Sequence, residues 1–255
     1  MLAQGKSLLL TKFTFLLSKE KKMETSQLVT IITTVAVTLV LGIILMLSGK
    51  KFDVKMLSFC AVSLGLSFGL SFIKFEMAYG GSITAGSMVP IILFAYMYGP
   101  TAGLFAGTIY GLLQFIQSPW FLTPVQFLLD YILGFAAIVC AGVIGLIASK
   151  KMRKGLIISV PIVYIVRYIM HILAGIIFYS TPDMMVADLP MFGDTAGMSA
   201  FIYSSLYNGI YIIPDMIIAL VVTILITANK SFLGLVGKIS LDNKDRMLFM
   251  KGKNK

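Results

Sequence analysis

A single carboxylate, Asp130, lies near the start of an apolar stretch that otherwise runs from Val125 to Ala148. A stretch of that length can cross a bilayer, since a transmembrane helix needs roughly 20 apolar residues. A charge at membrane depth costs roughly 2.5–3.5 kcal/mol on insertion scales, so a chain that keeps one there gives it a partner or a task. His171 lies inside a second apolar stretch and Asn208 inside a third. Polar groups on three separate segments predict a polar pocket within a helix bundle.

The rest of the chain supports a bundle in lipid. It is 58% hydrophobic and 13% charged, with a mean hydropathy of +0.94. A soluble domain of this length cannot hide that much apolar surface, so the expectation is an all-α integral membrane protein. The net charge of +10 is spread over loops and ends, which is the pattern of a membrane protein and not of a nucleic-acid partner. Cys60 and Cys140 both fall inside apolar segments and read as packing residues. With one histidine and two isolated cysteines, no metal-ligand spacing occurs. His171 has no evident nucleophile to activate. Neither a metal, a cofactor nor an enzymatic activity is expected.

Hydropathy marks candidate spans at 29–48, 56–73, 87–98, 102–117, 125–148, 156–180 and 199–228. The third is short, begins near Pro90 and ends at Gly99-Pro100, a turn signal. The chain divides into an N-terminal extension, 1–55, with one extra hydrophobic helix; a six-helix transmembrane bundle, 56–228; and a basic tail, 229–255. Lys50, Lys51 and Lys55 mark one loop, and Lys150, Lys151, Arg153 and Lys154 another; seven more basic residues follow Asn229. The opposite loops carry either no charge (117–124) or only Asp183, Asp188 and Asp194 (181–198). The positive-inside rule then makes the basic loops and the C-terminus cytoplasmic. Segment 29–48 disagrees: if it spans, Lys6, Lys12, Lys19, Lys21 and Lys22 fall outside. Either initiation at Met23 or a surface-lying first segment would remove the conflict.

Small residues recur every fourth position at Ala61, Gly65 and Gly69, and again at Gly103, Gly107 and Gly111. Such stripes let helices approach closely in lipid. Packing inside the bundle is the first reading of each, and contact with another subunit the second. Arg167 and Asp215 lie past the midpoint from the outer side and are expected to pair, because a lone buried charge is so costly. Pro214 is expected to bend the last helix there.

At 1.5 Å per residue, Asp130 lies roughly 8 Å below the outer end of its helix, and His171 and Asn208 roughly 14 Å below theirs. Tyr179 and Tyr203 are shallower, and Trp120 sits in the loop above Asp130. A carboxylate, an imidazole, an amide and aromatic faces suit an aromatic or heterocyclic cation, to which cation–π attraction adds about 2 kcal/mol when desolvated. A phosphate would call for an Arg/Lys cluster, and the outer loops have only Lys74 at a helix end.

Five segments carry a resemblance: Tyr79-Gly-Gly-Ser-Ile-Thr; Pro90-Ile91; Gln126-Phe-Leu-Leu-Asp130-Tyr131; Arg167-Tyr-Ile-Met-His171-Ile-Leu-Ala-Gly175; and Tyr207-Asn208-Gly209. In their order over about residues 56–228 they resemble the thiamine-specific substrate-binding subunits (S-components) of energy-coupling factor transporters, the ThiT family. The resemblance implies a six-helix bundle that binds the vitamin near the outer face under a lid formed by the loop holding Tyr79, Gly81 and Ser82. It implies partners: a transmembrane coupling protein, met here by the face of Ala61 and Gly65, and two nucleotide-binding ATPases. Toppling of the loaded subunit would carry substrate inward. By position, Asp130 and Tyr131 match an acidic residue at the aminopyrimidine and its neighbouring tyrosine, and His171 the site histidine. Tyr179 stands where some members have a tryptophan on the thiazolium, Tyr203 and Asn208 match pyrimidine-side contacts, and Trp120 a pocket aromatic. Gly81 stands where some members have a lid tryptophan, so the resemblance implies no ring from that position. The expected function is thiamine binding for uptake; the alternatives are an S-component for another vitamin or heterocycle, or a self-sufficient ion-coupled secondary transporter.

Overall fold

The computed structural model describes residues 53–77, 81–119, 123–148, 151–179 and 198–240. Trp120, Tyr79 and the candidate span 29–48 lie outside these residues.

The helices begin and end where the local chemistry requires. Helix α1 (Val54–Leu70) starts at Asp53, whose side chain accepts from the Met56 N–H at 2.7 Å; such a cap stabilises a helix by about 1 kcal/mol. Two three-residue strands follow, β1 (Lys74–Glu76) and β2 (Ser82–Thr84), paired antiparallel with Phe75 opposite Ile83. The expectation of an all-α chain is corrected by this hairpin; its strands are too short to show an alternating pattern in sequence. Helices α2 (Val89–Tyr98) and α3 (Pro100–Gln117) meet at Gly99, where φ is +89°. A side chain is disfavoured in that region, and Pro100 then opens α3 at a position that needs no N–H.

The span 124–147 is not one regular helix. It comprises α4 (Pro124–Phe127), capped by the Thr123 hydroxyl; a π-helical turn (Leu128–Leu133); and the short α5 (Gly134–Ala136) and α6 (Val139–Ile147). Asp130 and Tyr131 lie on the π turn. Helices α7 (Met152–Tyr179) and α8 (Ala200–Ala228) pack side by side and run without a break through Pro161 and Pro214. Residues 230–240, within the stretch expected to be tail, are helical; Val236 and Ile239 are buried with Met56, Cys60, Tyr98 and Leu156.

Among the described residues, three helical segments are long and apolar enough to cross a membrane: Pro124–Ile147, Met152–Tyr179 and Ala200–Ala228; α1 and α2 are shorter apolar helices. On α7 the exposed residues Ile165, Ile169, Leu173 and Ile177 recur every four positions, and Ile213, Ile217 and Val221 do so on α8. Apolar stripes of this kind suit acyl chains, not water. The chain is a multi-pass, mostly helical membrane protein.

The two glycine stripes have different fates. A Cβ on Gly107 would meet the Phe135 carbonyl, and one on Gly111 the Tyr131 carbonyl. The α3 stripe therefore holds the 124–147 segment at backbone distance, as expected of packing inside the bundle. On α1, Gly65 and Gly69 meet nothing within 4 Å among the described residues, and Ala61 is exposed. Among the described residues, nothing packs on this face.

Candidate functional site

A pocket of about 350 Å³ lies between the hairpin, the π turn, α7 and α8. That volume falls within the range of small-molecule sites, roughly 300–1,000 Å³. Asp130, Tyr131, His171, Tyr179 and Asn208 all line it, as do Gly81 and Ser82. The side chains predicted to converge from three helices do converge.

The centre of the site is an ordered chain of charges. A guanidinium stays protonated and can only donate. Arg167 Nε therefore donates to His171 Nε2 at 3.3 Å. This leaves the proton of a neutral imidazole on Nδ1, which donates to Asp130 Oδ1 at 2.7 Å. In a dyad that activates a nucleophile, the far nitrogen would face a hydroxyl or thiol; here Arg167 occupies it. Asp130 remains 20% exposed and His171 11%, so the carboxylate faces the hollow while its imidazole partner is largely covered.

Arg167 reaches the pocket, although its place in the sequence suggested only a deeper structural pair. The expected pair exists, with Nη1 3.6 Å from Asp215 Oδ2. The guanidinium also covers the Phe135 ring at 4.5 Å and lines the pocket floor. Its long side chain spans the one turn up to His171. Lys74 lines the rim, with Glu76 at 2.7 Å. Both bases thus face a carboxylate of their own. With His171 neutral, the charge left over at the pocket is that of Asp130.

The aromatic walls differ in part from expectation. Tyr179, Tyr207 and Tyr211 line the pocket. Tyr203 stands behind them, 4.3 Å from the Tyr179 ring and parallel to Tyr207 at 6.5 Å. The signal that could have found Tyr207 and Tyr211 was their four-residue spacing from Tyr203 on one helix face. Asn208 lines the pocket, but its amide is engaged by the protein. Nδ2 donates to the His171 carbonyl at 3.2 Å and to the Ser204 carbonyl at 2.8 Å, and Oδ1 accepts from Tyr211 at 2.5 Å. It joins α7 to α8 and fixes the Tyr211 ring. Tyr131 donates to the Ser118 carbonyl at 2.7 Å and closes the side toward α3.

At the hairpin tip, a Cβ on Gly81 would come within 2.5 Å of the Tyr211 ring. Tyr211 thus occupies the space into which a larger residue at position 81 would project, and Gly81 meets the wall through its backbone. The Gly81 N–H also points to the Tyr207 hydroxyl at 3.4 Å.

Residues 57–233 match the family described as thiamine transporter protein (Thia_YuaJ). The chain belongs to this thiamine transporter family, whose members are transport proteins and not enzymes. Among its relatives is the thiamine transporter ThiT of Bacillus subtilis, 36% identical over 165 residues, which cover 59% of this chain and 77% of that protein. A solved structure of ThiT from Listeria monocytogenes superposes with a TM-score of 0.56 at 26% identity, covering 70% of this chain and 96% of the other. The family match spans the whole thiamine transporter core described above, from α1 to the start of 230–240. The hairpin, the π turn and both long helices around the pocket fall inside it.

Proposed function

We propose that this chain is the substrate-binding subunit of an energy-coupling factor transporter and binds thiamine from the outside. The observation that carries the reading is the uncompensated Asp130 carboxylate in an aromatic-walled pocket. Thiamine offers what that pocket lacks: a fixed positive charge on an aromatic ring, and an aminopyrimidine that can donate to a carboxylate. The thiazolium lies among Tyr179, His171 and the tyrosines of α8, where ring faces attract a desolvated cation by about 2 kcal/mol. Asp130 accepts from the aminopyrimidine. Asn208 acts by holding Tyr211; Trp120 and Tyr79, outside the described residues, are assigned to the site by the resemblance alone.

The membrane domain is a six-helix bundle in which α1, α2 and α3 also span. Its basic loops and its C-terminus are cytoplasmic by the distribution of Lys and Arg, which puts the pocket at the outer side. The face of Ala61 and Gly65 on α1 receives the transmembrane coupling protein, and two ATPases complete the transporter. Small residues on an exposed helix face suit close helix contact in lipid.

Calorimetric titration of the purified protein with thiamine, riboflavin and biotin tests the ligand. Binding of thiamine alone supports the reading, and tighter binding of another vitamin refutes it. Reconstitution without an ATPase tests the assignment as a subunit: accumulation of thiamine driven by an ion gradient alone would make the chain a self-sufficient secondary transporter.

A further inference from the structure

We propose that Asp215 is a positioning residue that ties the hairpin to the pocket floor and so controls how long a guest is retained, without touching the guest. The inference rests on the thiamine reading for its ligand, while the anchor itself does not.

Asp215 lies on α8 and is 1% exposed. Its two oxygens face different elements. Oδ1 accepts from the Thr84 backbone N–H at 2.8 Å and from the Thr84 hydroxyl at 2.7 Å. Oδ2 accepts from the Tyr164 hydroxyl at 2.9 Å and lies 3.6 Å from Arg167 Nη1. Since the Thr84 hydroxyl proton goes to Asp215, the 2.9 Å contact between Thr84 and Ser87 has Ser87 as donor. Thr84 Oγ1 also accepts from the Ser87 N–H at 3.2 Å.

A pairing role with Arg167 alone would leave Oδ1 without a reason to face a strand end. A hydroxyl on α8 could hold that strand but not Arg167. A carboxylate does both, because its planar group fixes the two directions relative to one another. From Oδ1 the path runs through Thr84 up β2 to Ser82 and Gly81 at the pocket. From Oδ2 it runs through Arg167 to His171 and Asp130. Lifting the hairpin therefore removes both Thr84 donors from Asp215, the ion partner of Arg167.

The test compares Thr84→Val, Thr84→Ser and Asp215→Ala with wild type. Thr84→Val removes the hydroxyl bond to Asp215 and keeps a strand-forming residue. Thiamine dissociation is expected to quicken about tenfold, the effect of one hydrogen bond to a buried charge, with association changed less than about threefold. Thr84→Ser restores slow dissociation. Wild-type dissociation from Thr84→Val, whatever its melting temperature, would overturn the proposal and leave Asp215 a stabilising residue only. Hydrogen exchange in the ligand-free protein reads the anchor alone: Asp215→Ala, which removes both acceptor oxygens, is expected to speed exchange of the Thr84 amide at least about tenfold, and unchanged exchange overturns the anchor. If wild type binds no thiamine, the ligand reading fails and the exchange result decides the anchor by itself.

Discussion

His171 gives its Nδ1 proton to Asp130 at 2.7 Å because Arg167 already occupies its other nitrogen. The pair therefore keeps its negative charge in place of sharing a proton between two charged states. Asp130→Ala is expected to weaken thiamine binding at least about 100-fold, the scale of removing a desolvated partner of a charged group. Asp130→Asn should fall between, since it keeps an acceptor and loses the charge. Calorimetry on variants that elute as wild type in size exclusion reads both.

The tautomer has its own test. Nitrogen NMR of labelled wild type should show His171 protonated on Nδ1. Arg167→Gln should release that tautomer and leave Asp215 without its ion partner. Breaking a buried pair in this way destabilises by about 3 kcal/mol, so the melting temperature should fall together with the change in the imidazole spectrum.

Gly81→Ala places a methyl within 2.5 Å of the Tyr211 ring. The ring is held by its bond to Asn208, so it cannot turn aside freely. Thiamine affinity is expected to drop about tenfold, in line with the 1–3 kcal/mol of overpacked sites. Gly81→Ala combined with Tyr211→Ala should recover the hairpin position but not the aromatic wall. Hydrogen exchange of residues 81–84 separates the two effects.

The glycine stripes predict opposite outcomes for similar changes. Gly111→Ala drives a methyl into the Tyr131 carbonyl and should destabilise the isolated protein by about 1–3 kcal/mol, read by thermal unfolding. A Cβ on Gly65 meets nothing within 4 Å among the described residues. Gly65→Leu should leave stability and thiamine binding near wild type, and abolish uptake once the coupling protein and ATPases are supplied.

The long spans and the meeting of Asp130 with His171 were legible because both rest on large energies: burial of apolar length, and the cost of a charge in lipid. Helix ends at 54–70, 89–98 and 200–228 lie within a few residues of the hydropathy limits. What escaped depends on direction, not composition. Tyr203, Tyr207 and Tyr211 share a helix face, and only their depth and the Gly81 contact decide which of them reach the cavity. Arg167 was readable as a partner of Asp215, but its second reach, to His171, follows from side-chain length. The hairpin strands are three residues each, too few for periodicity to register. The helical 230–240 segment was masked by its lysines, although Val236 and Ile239 carry the apolar spacing that buries it.

The wide turn at Leu128–Leu133 makes the register of this segment unusually sensitive to length. Loss of one residue there would close the turn to an ordinary α-helix while the flanking segments kept their present faces, because such a turn holds one extra residue within an α-helix. The residues on the turn itself would be redirected, and Asp130 and Tyr131 would lose their bonds to His171 and the Ser118 carbonyl. Single-residue insertions and deletions in this stretch, more than substitutions, are therefore the changes by which such a protein would lose or exchange its cargo.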